Sequence, residues 1–80
     1  MEELNFEIKK KIGVIRANMG LANWTREINL VSWLGDEPKY DIRDWSPDHT
    51  RFGRGITFSK EEADNLLALL LKEREKEKDA

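Results

Sequence analysis

The 80-residue chain contains no cysteine, which excludes a disulfide framework, a thiolate metal site and a thiol nucleophile. It has a single histidine, a poor basis for metal or acid–base chemistry. No run approaches the roughly 20 apolar residues of a membrane span. The start, Met1-Glu2-Glu3-Leu4, is acidic where a signal peptide needs positive charge before an apolar stretch. A soluble intracellular protein is expected. No internal repeat and no Ser/Gly/Pro-rich linker divides the chain, so residues 1–80 read as one domain. An excess of basic charge is missing too. Fourteen Lys+Arg against sixteen Asp+Glu give a net charge of −2, a balance that by itself argues against a nucleic-acid binder.

What is present is aromatic. Three Trp, three Phe and one Tyr argue against disorder, because disordered chains are poor in large apolar rings. A chain this short buries a modest fraction of its surface and has no staple, so a homodimer is expected before any motif is read.

In Phe6-Glu7-Ile8-Lys9-Lys10-Lys11-Ile12-Gly13-Val14-Ile15-Arg16 the apolar positions 6, 8, 12 and 14 alternate, with Lys10 the one violation. This predicts one long strand or two short ones, bent near Gly13. Ala17 to Ala22, with Asn18 and Gly20, reads as a loop. A second strand is predicted from Trp24 to Trp33 and a third from Lys39 to Trp45, with Leu34-Gly35-Asp36-Glu37-Pro38 as the hairpin between them. Ser46-Pro47-Asp48-His49-Thr50 is a turn whose loop continues to Gly53, and a short fourth strand covers Gly55–Phe58. Ser59-Lys60-Glu61-Glu62 matches a helix capping box.

Strands in series followed by one helix predict an α+β fold: a four-stranded antiparallel sheet, β-β-β-β-α, with the helix on one face. Alternation puts Ile28, Leu30, Tyr40 and Ile42 on the helix side. Glu27, Val31, Trp33, Lys39, Asp41, Arg43 and Trp45 lie on the other. In the helix, leucines 66, 67 and 69–71 spread over roughly 200° of arc, where about 100° suffices for a surface helix. Leu67, Leu69, Leu70 and Leu71 are therefore assigned to a dimer interface. Residues 72–80 alternate in charge and form a solvated helical tail beyond a core of residues 5–71.

Two tryptophans beside Lys and Arg on an uncovered sheet face have two readings. Rings can stack on unpaired bases while cations track phosphates. Alternatively, the rings pack beneath a loop or a second chain.

The stretches Glu37-Pro38-Lys39-Tyr40-Asp41-Ile42-Arg43-Asp44-Trp45 and Gly53-Arg54-Gly55-Ile56-Thr57-Phe58-Ser59 resemble the single-stranded-DNA-binding domain of transcriptional positive cofactor four. The resemblance is closer to the bacterial YdbC-like branch, from about Phe6 to Leu71. It implies a curved four-stranded sheet with a C-terminal helix, a homodimer, and sequence-tolerant binding of single strands without catalysis or cofactor. A role in transcription regulation or in replication and repair follows from the resemblance alone, as does a bacterial cytoplasmic protein open to association with the nucleoid and the transcription machinery.

The resemblance also suggests the site. Arg43 matches the family arginine after Asp-Ile, a phosphate contact, and Arg54 the basic position before Gly-Ile. Trp33 stands where a stacking ring is placed at the end of the second strand. Trp45 resembles the aromatic pair after the arginine, one residue closer. Lys39 is supported by its face. Trp24 and Arg26 lie near an insertion relative to eukaryotic members and stand in for some of their contacts. Val31 and Leu34 replace basic residues of those members, and the Asp36-Glu37 turn is acidic.

His49 beside Asp41, Asp44 and Asp48 raises a divalent-metal nuclease. Asp41 and Asp44 point to opposite faces of one strand, however, and Asp48-His49 after Pro47 is turn chemistry. Gly53-Arg54-Gly55 is too short for a nucleotide-binding fingerprint. Lys9, Lys10 and Lys11 read as protection of a solvated edge strand. The charge is unevenly placed. Residues 5–58 carry nine basic and seven acidic side chains, whereas residues 59–80 carry five and seven. The expectation is a homodimeric single-stranded-DNA-binding protein in which stacking outweighs charge. An RNA-binding protein, or a protein-interaction module using the Trp-rich face, is the alternative.

Overall fold

The computed structural model describes residues 5–20 and 22–79 of the chain, with side chains through Lys78. The acidic start at Met1–Leu4 and the last residue of the tail lie outside the described residues. Four strands, β1 (Phe6–Met19), β2 (Trp24–Trp33), β3 (Lys39–Trp45) and β4 (Phe52–Phe58), precede one helix, α1 (Lys60–Asp79). They form a single antiparallel sheet in the order β1-β2-β3-β4. This is the β-β-β-β-α fold expected from the pattern.

β2 and β3 fall where alternation puts them, and their ladder runs without a register shift from Thr25 opposite Trp45 to Val31 opposite Lys39. The loop joining them, Leu34–Pro38, opens with a tight turn. Asp36 N donates to Trp33 O at 2.9 Å, and both central residues, Leu34 and Gly35, have positive φ (56° and 80°). That is the type I′ geometry, whose twist matches a hairpin.

β1 corrects the sequence reading. It does not stop near Arg16 but runs on through Ala17 and Asn18 to Met19, which opposes Trp24. Its register against β2 shifts four times, between Ile8/Lys10, Lys11/Gly13, Val14/Arg16 and Arg16/Met19. Each shift resets which side chains face which way, so simple alternation cannot hold over the strand. Lys10 opposes Leu30 and Lys11 opposes Asn29, with Lys9 in the first irregularity and paired to Glu7 at 3.0 Å. β1 is a sheet edge, as the lysine run suggested. β4 is also longer than expected, starting at Phe52, because an irregularity near Gly53 lets Phe52 still pair with Trp45.

The second correction concerns the core. Tyr40 and Ile42 were expected on the buried side, beneath the helix. Instead the fully buried large side chains, Val31, Trp45, Asn29 and Asp41, belong to the odd-numbered face of β2 and β3. The cause is curl. Trp45 opposes Thr25 and Phe6 opposes Trp33. In a flat sheet those two levels lie about 26 Å apart along the strand, and β1 and β4 about 14 Å apart across it. Yet the Phe6 ring is 5.2 Å from Trp45 and 5.6 Å from Phe52. Diagonally opposite corners therefore meet over the odd face, which the repeated bulges of β1 make possible by adding twist and bend.

The helix begins at the capping box as read. Glu62 N donates to Ser59 Oγ at 3.1 Å and Ser59 N to Glu62 Oε1 at 2.8 Å. On the even face, Tyr40 stacks on Phe58 at 5.9 Å, and Ile28, Leu30 and Ile42 are half-buried. Leu66, Leu67, Leu69, Leu70 and Leu71 are all exposed in the single chain.

Candidate nucleic-acid interface

The odd face is built in two layers. Its deeper layer is polar and largely bonded internally, with buried Asn29 Oδ1 and Trp45 Nε1 left without a partner. Asp41, with 0% of its surface exposed, accepts hydrogen bonds from Arg43 Nε and Nη2, both at 2.8 Å, and from Trp33 Nε1 at 3.2 Å. Arg43 Nη1 donates to Gly53 O at 3.1 Å. The guanidinium carbon lies 4.5 Å from the Trp33 ring centre and 5.5 Å from that of Phe52, within cation–π range. Gly55 is the partner of Arg43 on β4. A Cβ there would collide with Arg43 Cβ and Ile42 O, so glycine is required for the arginine to lie across the strand.

At the other end of the face, His49 stacks on Trp45 at 5.4 Å. Its Nε2 lies 3.0 and 3.1 Å from the two oxygens of buried Glu27. Thr25 Oγ1 and Asn29 Nδ2 also donate to Glu27, at 2.5 and 3.1 Å. Burial pushes the Glu27 carboxyl up, but these hydrogen bonds and the neighbouring His49 outweigh it and hold it below its ordinary range. Asp48 ties the turn together by accepting from Thr50 Oγ1, Thr50 N and Ser46 Oγ, which draws its pKa down to about 2. Asp48 and His49 thus lie in the expected turn, where His49 N donates to Ser46 O at 2.9 Å and His49 has a positive φ of 60°. Asp44 turns to the even face and pairs with Arg26 at 2.7 Å. Among the described residues no three His, Cys, Asp or Glu side chains converge on a metal position.

The outer layer is an open groove of about 410 Å³ lined by Trp33, Asp36, Glu37, Lys39, Arg43, Phe52 and Thr57. Trp33 is half-buried, and Lys39 is exposed. These two expected site residues come together here, with Arg43 at the base of the groove. Phe52, 5.1 Å from Trp33, was missed, because Phe52-Gly53-Arg54-Gly55 reads as loop before the pairing of β4 is known.

Trp45, Arg54, Trp24 and Arg26 do not line the groove, and Arg43 lines it with its guanidinium already engaged. Trp45 is wholly buried against Phe6, Phe52 and His49, the packing alternative for a ring on this face, and it has no free surface for a base. Arg43 is committed to Asp41, with 13% of its side chain exposed. Arg54 is exposed in the irregular part of β4 and forms no ion pair among the described residues. Trp24 and Arg26 belong to the even-numbered set of β2. Arg26 is held by Asp44, and Trp24 lies under Arg51 at 5.8 Å.

Fold and groove together define a small antiparallel sheet protein in which two aromatic rings and an exposed lysine line one open groove. Among the described residues no helix is long and apolar enough to cross a membrane. The chain belongs to the Transcriptional Coactivator p15 (PC4) family, whose model matches residues 21–69, from before β2 into α1. An uncharacterised protein of Treponema pallidum (strain Nichols) is 33% identical over 69 residues, covering 86% of this chain and 79% of its own length. The family is a non-enzymatic, DNA-binding one of coactivator type.

Proposed function

We propose that this chain binds single-stranded DNA on the odd face of its sheet, with bases stacked on Trp33 and Phe52 and phosphates met by Lys39 and Arg54. The observation that carries the reading is the groove itself: two aromatic rings 5.1 Å apart, one backed by a guanidinium, beside an exposed lysine. Stacking on such a platform contributes about 1–3 kcal/mol per base and tolerates any sequence. The acidic Asp36-Glu37 lip repels phosphates locally and leaves the rings as the principal grip.

The working form is a homodimer joined through Leu67, Leu69, Leu70 and Leu71, acting in the bacterial cytoplasm in transcription regulation or strand handling. Family membership and the exposed leucines support this reading.

Titration with single-stranded DNA, duplex DNA and RNA of equal length at two salt concentrations tests it. Single-stranded DNA should bind best. Trp33→Ala should cost about 1–3 kcal/mol of oligo(dT) affinity while the fold persists. Equal affinity for duplex would sink the stacking mechanism, since paired bases offer no free faces. Stronger RNA binding would reassign the ligand, and salt-independent binding of peptides without DNA binding would make the face a protein-interaction site.

A further inference from the structure

The groove contains a cation that its surroundings have already neutralised. Arg43 meets both oxygens of a fully buried carboxylate, donates a third hydrogen bond to Gly53 O, and lies beside the rings of Trp33 and Phe52. Asp41 in turn holds Trp33 by its indole nitrogen. A bidentate carboxylate–guanidinium pair is geometrically rigid, and removing one partner strands the other charge.

We propose that Asp41 is a positioning residue. It converts Arg43 from a phosphate contact into an internal strut that fixes the Trp33 ring at the stacking angle. Arg43 then adds nothing to counterion release, and the charge contacts come from cations outside the pair. This rests on the single-strand reading above and deepens it.

The salt dependence of binding distinguishes a strut from a contact, because each phosphate contact on a single strand adds about 0.7 to the slope of log K against log salt. Oligo(dT) affinity would be measured from 50 to 200 mM salt for the wild type, Asp41→Asn and the double variant Asp41→Asn/Arg43→Gln. Asp41→Asn keeps an acceptor for Trp33 but leaves Arg43 uncompensated. Its slope should steepen by about 0.7, an extra loss of about 2.6-fold over that fourfold salt range. The double variant removes both charges. It should bind more weakly at every salt concentration, as the strut is gone, with the wild-type slope.

A double-variant slope shallower than wild type by about 0.7 would show that Arg43 touches phosphate, and would overturn the proposal. So would a folded Asp41→Asn variant with an unchanged slope. Should Asp41→Asn fail to fold, the double variant decides alone. Absence of DNA binding by the wild type would instead remove the function proposed above and is readily told apart.

Discussion

The two faces of one sheet are built to different degrees of completion. The odd face closes within a single chain: rings from β1, β2, β3 and β4 meet, and its buried acids, Glu27 and Asp41, have donors. The even face and α1 do not close. Ile56 is 61% exposed and Leu69 is 65% exposed, although these residues are more apolar than many of those buried opposite. Hydrophobicity alone therefore does not decide which face is core here. Curl decides it, by bringing the corners of the sheet together on one side and spreading them on the other.

That contrast can be broken from either side. Trp45→Ala should have the largest effect, about 3–5 kcal/mol of lost stability in denaturant unfolding, because it empties the centre of the closed face. An effect below about 1 kcal/mol would show that the odd face is not the core. Next, Leu70→Glu should act on association instead, weakening dimerisation by about 30-fold or more in sedimentation. If the protein sediments as a monomer before mutation, the open face has no partner copy. The smallest effect is expected at the hairpin. Leu34 sits at positive φ while 64% exposed, so Leu34→Asn should add about 1 kcal/mol and raise Tm by roughly 5 °C. A lower Tm would mean that the leucine makes a contact worth more than its backbone strain.

Much of the frame could be read from residue order. β2 and β3 have the bounds that alternation gives them, and Ser59 and Glu62 mark the helix start, because both signals are local. β1 could not be read past Arg16, since its register is reset by geometry that leaves no mark in apolar spacing. The buried face was assigned to the wrong side for a related reason. Parity divides a strand into two sets, but only the sheet's curvature says which set is enclosed. In the candidate site, Trp33 and Lys39 were legible as neighbours on one face. Phe52 was hidden by its glycine-rich surroundings. Asp41 and Arg43 stand two apart on one face, but Arg43 was read as a phosphate contact, and its pairing with Asp41 emerges only from the structure. Trp45 shared the same face as Trp33, and only the corner contact with Phe6 shows that it lies beneath the surface.

The meeting of Phe6 with Phe52 also sets an order of events in time. These rings are forty-six positions apart, so their contact carries a loop-closure cost that no neighbouring hairpin shares. The β2–β3 ladder, joined by the five-residue loop Leu34–Pro38, can zip early, whereas the corner can latch only after all four strands are in register. The odd face is thus assembled last, and opening the corner is the first step by which it would come undone.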